Sequence, residues 1–168
     1  MEQPAGNKIT GNPSSHPALS VKWVEDFPDI PLNRNEAYKL RVTSKGVEIE
    51  AITETGVYRA IQTLRQLTEK KGNGIAITGC EITDWPAFRI RGFMQDVGRT
   101  YISTDELKRE IAILARYKIN VFHWHLTENQ AWRLQSKVFP MLNDSVNTTR
   151  QPGKYYTLEE ARELAAFC

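Results

Sequence analysis

The chain has 168 residues, 40% hydrophobic and 25% charged, with 22 Lys+Arg against 20 Asp+Glu for a net charge of +2. That is the composition of a soluble globular protein, long enough for one ordinary domain or for one small domain plus part of another. It holds no basic run dense enough for nucleic acid, no apolar stretch near the ~18 residues of a membrane span, and no signal peptide in MEQPAGNKITGNPSSHPAL.

Residues 1–18 are rich in Pro, Gly, Asn and Ser without periodicity and are expected to form a flexible or extended lead-in. Leu19, Val21 and Trp23 alternate with Ser20 and Lys22, which predicts a short strand. Tyr38, Leu40 and Val42, then Val47, Ile49 and Ala51, alternate with polar residues around Ser44-Lys45-Gly46, the pattern of a hairpin with one buried face. Val57, Ala60, Ile61, Leu64 and Leu67 fall at helical spacing, with Lys70, Lys71 and Gly72 as the expected stop. A further strand is expected at Ile75 and Ile77. Residues 19–84 therefore read as a small α+β layer, and Asp84-Trp85-Pro86 as the boundary before a second region, 85–168.

In that second region, apolar runs at 90–97 and 119–126 bracket an amphipathic segment, 105–118. Strand, helix, strand at this spacing is one right-handed crossover between parallel strands. Ser103-Thr104-Asp105-Glu106 is a capping box, and Leu107, Ile111, Leu114 and Ala115 make the helix's apolar stripe. Polar residues collect where the strands end: Gln95, Asp96 and Arg99 after the first, and His123, His125, Thr127, Glu128, Asn129 and Gln130 at the second. Strand ends are where βα folds place their chemistry. Residues 129–156 read as one long loop. Thr157 to Glu160 forms another capping box, opening a helix with Leu158, Ala161, Ala165 and Cys168 on one face. That helix shows no stop signal, and two parallel strands cannot bury both faces. The expectation is the N-terminal piece of a larger protein.

The runs RGFMQDVGR and YKINVFHWHLTENQAWRL, with GVYRAIQTLRQL and ITDWPAFRIRG before them in the same order, resemble the family 20 glycoside hydrolases, the β-N-acetylhexosaminidases. The resemblance spans residues 19–168. It implies an α/β architecture: a small N-terminal α+β domain followed by an incomplete (β/α)₈ TIM barrel holding only its first two strands. It also implies removal of terminal β-linked GlcNAc or GalNAc from an oligosaccharide or glycoconjugate, with retention and no cofactor, in a periplasmic or secreted enzyme. In this family the substrate's own acetamido carbonyl attacks the anomeric carbon, while a Glu protonates the leaving oxygen and an adjacent Asp orients the acetamido group. No segment of the chain matches that Asp-Glu pair in context, so the fragment itself is expected to be inactive. Arg99 matches the family's arginine for the outer sugar hydroxyls. Glu128 takes the place of the first acidic residue in an Asp-Asp-Gln motif that here reads Glu128-Asn129-Gln130. That departure leaves no carboxylate at Asn129.

Physically, a hexosamine's hydroxyl face wants a planar donor fork and a carboxylate acceptor, which Arg99 and Glu128 supply. Asp96 is expected to organise the strand end, and Trp85 and Trp132 to pack beside apolar runs. His123 and His125 point the same way on a strand. A metal centre needs three or four ligands, and His16 is the only other histidine. They are therefore read as supporting, barrel-interior residues with no metal. A metal-dependent barrel hydrolase using this pair, and a non-catalytic carbohydrate-binding piece, stay open as alternatives. Cys80 and Cys168 make neither a disulfide framework nor a metal site and leave the compartment open.

Overall fold

The computed structural model describes Lys8–Ile9 and residues 18–168, which divide into two compact units, Met1–Arg89 and Ile90–Cys168. In the first unit, strand β1 is Lys8–Ile9 and β2 is Ala18–Trp23, while Tyr38–Thr43 (β3) and Gly46–Ala51 (β4) form the expected hairpin. Helix α1, Glu54–Leu67, follows, then β5 (Thr68–Lys71), β6 (Gly74–Thr78) and β7 (Cys80–Asp84). One sheet runs β2-β4-β3-β7 and another β1-β6-β5.

Alternation decides what the first unit buries. Tyr38, Leu40, Val42, Val47, Ile49 and Ala51 are all buried, and Val57, Ile61, Leu64 and Leu67 of α1 pack on them around buried Ala60. The helix lies close because residue 56 is glycine. A β-carbon there would stand 2.5 Å from the Ala37 carbonyl oxygen and 3.1 Å from Ala51 Cβ.

Two expectations for this unit change. Lys8–Ile9 pairs antiparallel with Ile77–Thr78, so these two residues are not a free lead-in; the rest of 1–17 lies outside the described residues. Lys70 and Lys71 do not end α1. The helix stops at Leu67, where the Thr68 hydroxyl donates to the Leu64 carbonyl at 2.9 Å, and the lysines belong to β5. Gly72, at φ +58°, turns the β5–β6 hairpin instead. Leu19, Val21 and Trp23 do form a strand, in register with Val47, Ile49 and Ala51, but on the edge of the sheet they stay exposed.

In the second unit, β8 (Gly92–Asp96) pairs in parallel with β9 (Val121–His125) through α2, Thr104–Arg116. A hairpin of β10 (Thr127–Glu128) and β11 (Ala131–Trp132) follows, and α3 spans Leu158–Phe167. Both predicted capping boxes form. Val97, Leu107, Tyr156 and Leu164 make the buried core, with Ile111, Phe122, Trp124 and Leu126 around it. The register assigns the two faces of the strand pair. Phe122 and Trp124 face this core, so Met94, Asp96, His123 and His125 share the opposite face.

Two expectations change here as well. On α3 the buried residue is Leu164, while Ala165 and Cys168 are exposed. Residues 129–156 are not structureless: they hold β11 and 3₁₀ turns at Pro140–Asn143 and Ser145–Asn147. The Asn143 side chain braces them, accepting from Ser136 N at 2.7 Å and donating to the Leu134 carbonyl at 3.0 Å. Among the described residues, no helix is long and apolar enough to cross a membrane.

Candidate active site

The parallel register sets Asp96 beside His125 at the ends of β8 and β9. Beyond them the His125 carbonyl accepts from Val97 N at 3.0 Å and Gly98 N at 3.3 Å, so the chain leaving β8 is tied to β9 before it reaches Arg99. Asp96 then grips Arg99 twice. Its Oδ1 accepts the Arg99 backbone N–H at 3.1 Å and its Oδ2 lies 3.1 Å from Arg99 Nε. Arg99 Nη2 donates to Glu128 Oε1 at 3.0 Å. Two residues 29 positions apart thus meet because two parallel strands end together.

This guanidinium is anchored on one side and open on the other. The Arg99 side chain is 60% exposed, against 21% for Asp96 and 25% for Glu128. Exposed ion pairs add only about 0–1 kcal/mol of stability, so two such pairs on one arginine fix its orientation more than they hold the fold together. The N–H groups not used by Asp96 and Glu128 form a planar donor array toward solvent.

His125 Nε2 lies 3.3 Å from the same Glu128 Oε1 but off the line of a hydrogen bond, and this buried nitrogen has no hydrogen-bond partner. No hydrogen bond therefore fixes the His125 ring at Nε2. The His123 ring sits 5.9 Å from that of His125, centroid to centroid, and is exposed. Asp96, His125 and Glu128 offer three ligand atoms within 4.8 Å of one another, a set that leaves out His123. Both carboxylates in it already hold Arg99, so a metal ion would have to displace a resident cation. His16 lies outside the described residues.

The adjacent Asp105-Glu106 pair serves the helix. Glu106 Oε2 accepts from Ser103 Oγ at 2.6 Å and Ser103 N at 3.1 Å, and these bonds hold its carboxyl below the ordinary pKa. Trp85 is half-buried and packs with Phe27, Ile30 and Ala37, while Trp132 is exposed.

Sequence reasoning missed Arg133. Its side chain is fully buried and donates to five main-chain carbonyls: Val97 (2.9 Å), Gly98 (3.2 Å), Arg150 (2.7 Å), Gln151 (3.2 Å) and Lys154 (2.7 Å). Burial holds its pKa below the ordinary arginine value. In QAWRL it looks like any polar residue flanked by apolar ones. It shares a face with Ala131, two residues before it, but the burial of both shows only in the structure.

Comparison with known proteins bears on the whole chain. Residues 88–168 match the model for glycosyl hydrolase family 20, catalytic domain, and residues 4–85 that for glycosyl hydrolase family 20, domain 2. A β-hexosaminidase of Porphyromonas gingivalis is 39% identical over 179 aligned residues, covering 99% of this chain and 21% of that protein. The crystal structure of a β-N-acetylhexosaminidase from Bacteroides fragilis superposes with a TM-score of 0.77 at 33% identity, over 89% of this chain and 30% of its own. A family 20 exo-β-N-acetylglucosaminidase from Vibrio harveyi, solved with N-acetylglucosamine, gives 0.74 at 33% identity, over 89% and 25%. The chain thus spans between a fifth and a third of the length of these relatives. Its fold is α/β, an N-terminal domain followed by part of a TIM-barrel domain. Its two halves match two successive domains of one family, and the chain belongs to glycosyl hydrolase family 20.

Proposed function

We propose that this chain supplies the N-terminal domain, ending at residue 84 and including Lys8–Ile9, and the first two barrel strands, within 85–168, of a glycosidase. That enzyme removes terminal β-linked N-acetylhexosamine with retention, the substrate's acetamido group serving as nucleophile. Arg99 and Glu128 form the clamp for the sugar's outer hydroxyls, with Asp96, His123 and His125 in support. The observation that carries the reading is the anchored but open guanidinium of Arg99, held by Asp96 and Glu128 at the ends of parallel strands.

The chemistry follows from that geometry. A hydroxyl both donates and accepts, so it can bridge a guanidinium N–H and a carboxylate oxygen that already face each other. A clamp preset in this way holds the ring while its reacting end distorts toward the transition state, which is how binding energy remote from the cleaved bond lowers the barrier. The proton donor and its partner Asp are assigned to segments outside these 168 residues, so the chain by itself is expected to turn nothing over.

The test is to purify the longest polypeptide the gene encodes that contains this chain and assay it with a chromogenic N-acetyl-β-glucosaminide. Release of the chromophore with retained anomeric configuration supports the reading, and no turnover by the folded protein contradicts it. A second reading, a metal-dependent hydrolase, draws on the Asp96, His125 and Glu128 set. About one bound equivalent of zinc by elemental analysis would favour it.

A further inference from the structure

We propose that Arg133 is a positioning residue that presets the hydroxyl clamp through the Val97–Gly98 peptide; this rests on the clamp reading of Arg99. The peptide is held from both sides. Its N–H groups donate to the His125 carbonyl, and its carbonyls accept from Arg133 Nε and Nη2. Arg99 is the next residue. With the two residues before it pinned, the entry to Arg99 and the Asp96 contact to its N–H have little freedom left.

Arg133 has no carboxylate partner among the described residues. Its five N–H groups meet five carbonyls and no carboxylate, so a fully buried cation is compensated by main-chain dipoles alone. Burying a charge without a counter-ion is costly unless every donor is satisfied. The arrangement therefore tolerates little displacement. Three of the carbonyls belong to Arg150, Gln151 and Lys154, so one side chain fixes the loop between β11 and α3 to the turn after β8. The same loop returns to the first turn region, since the Gln151 side chain accepts from Tyr101 N. Loop and clamp are held by one fork. Lysine cannot replace it, with three donors on one nitrogen against five separated carbonyls.

The experiment uses the full-length protein and has two arms. In the wild type, side-chain nitrogen–proton NMR should show one arginine with separate, slowly exchanging Nη signals, because hydrogen bonds at every donor hinder rotation of the group. Averaged, rapidly exchanging signals from Arg133, identified by their loss in Arg133→Lys, would overturn the proposal whether or not the protein is active. The kinetic arm compares Arg133→Lys, Arg99→Lys and the double variant. Acting through Arg99, Arg133→Lys should lower kcat/KM roughly 10- to 100-fold, yet by less than about threefold once Arg99 is already Lys. A merely structural Arg133 would lower the unfolding midpoint while kcat/KM of the folded fraction stays at wild type, or its effect would add in full to that of Arg99→Lys. Either result overturns the assignment. Absence of wild-type turnover counts against the proposed function instead, and the NMR arm then decides the role of Arg133.

Discussion

Gly98 and Glu128 approach so closely that a β-carbon on Gly98 would stand 2.9 Å from Glu128 Cβ and 3.0 Å from its backbone nitrogen. The crowding involves main chain, so rotating a side chain cannot relieve it. Gly98→Ala should push the β10–β11 hairpin outward, part Glu128 from Arg99, and cost about 1–3 kcal/mol, the usual size of overpacking. Denaturant unfolding measures the stability, and an unchanged midpoint would show that the hairpin moves freely.

The turn after α2 offers a change in the opposite direction. Lys118 sits at φ +61°, and the N–H groups of Lys118 and Ile119 return to the carbonyls of Ala115 and Leu114. That is a Schellman ending with lysine where glycine is usual. Left-handed backbone costs an L-residue roughly 1–2 kcal/mol. Lys118→Gly should therefore stabilise the second unit by about 0.5–1 kcal/mol, part of the gain being lost to the freer unfolded chain. Thermal unfolding checks it, and a lower midpoint would mean that the lysine side chain outweighs the backbone.

Acid should loosen the start of α2. The carboxyl of Glu106 is held below its ordinary pKa of 4.5, first by the Ser103 side chain and then by its backbone N–H. A depressed folded pKa adds stability that is present above the unfolded value and lost as pH falls through the folded one. The unfolding midpoint should thus decline as pH drops below about 4.5, and Ser103→Ala should flatten that part of the decline. Parallel pH profiles for the two proteins would remove the capping box from the acid response.

How much of this was legible follows from what kind of group makes each contact. The β3–β4 hairpin and the boxes at Ser103–Glu106 and Thr157–Glu160 rest on local side-chain patterns, and the sequence shows them directly. The end of α1 was misread because Lys70-Lys71-Gly72 suits a helix stop and a hairpin turn equally well; Thr68 and the pairing with Gly74–Ile77 decided it. The meeting of Arg99 with Glu128 follows from strand register, which no local pattern encodes. The resemblance named both residues, and the structure shows only that they touch. Arg133 was illegible because its five partners are backbone carbonyls in two distant segments, 97–98 and 150–154. No side chain advertises them.

Arg99 and Glu128 are the proposed clamp on the sugar. Arg99→Lys keeps the charge but replaces a planar fork by a single ammonium, which cannot hold Asp96, Glu128 and a hydroxyl in the fork's fixed, separated geometry. A hydrogen bond from a charged donor contributes about 1.5–3 kcal/mol. Glu128→Gln should act in the same direction more weakly, since the amide still accepts one hydrogen bond. The most direct measurement is kcat/KM of Arg99→Lys in the full-length protein, alongside its thermal midpoint. The clamp predicts a loss of roughly 10- to 100-fold, with kcat lowered as well as KM raised, and little change in the midpoint. A kcat/KM at the wild-type value with a lowered midpoint would make Arg99 a structural ion pair and contradict the account.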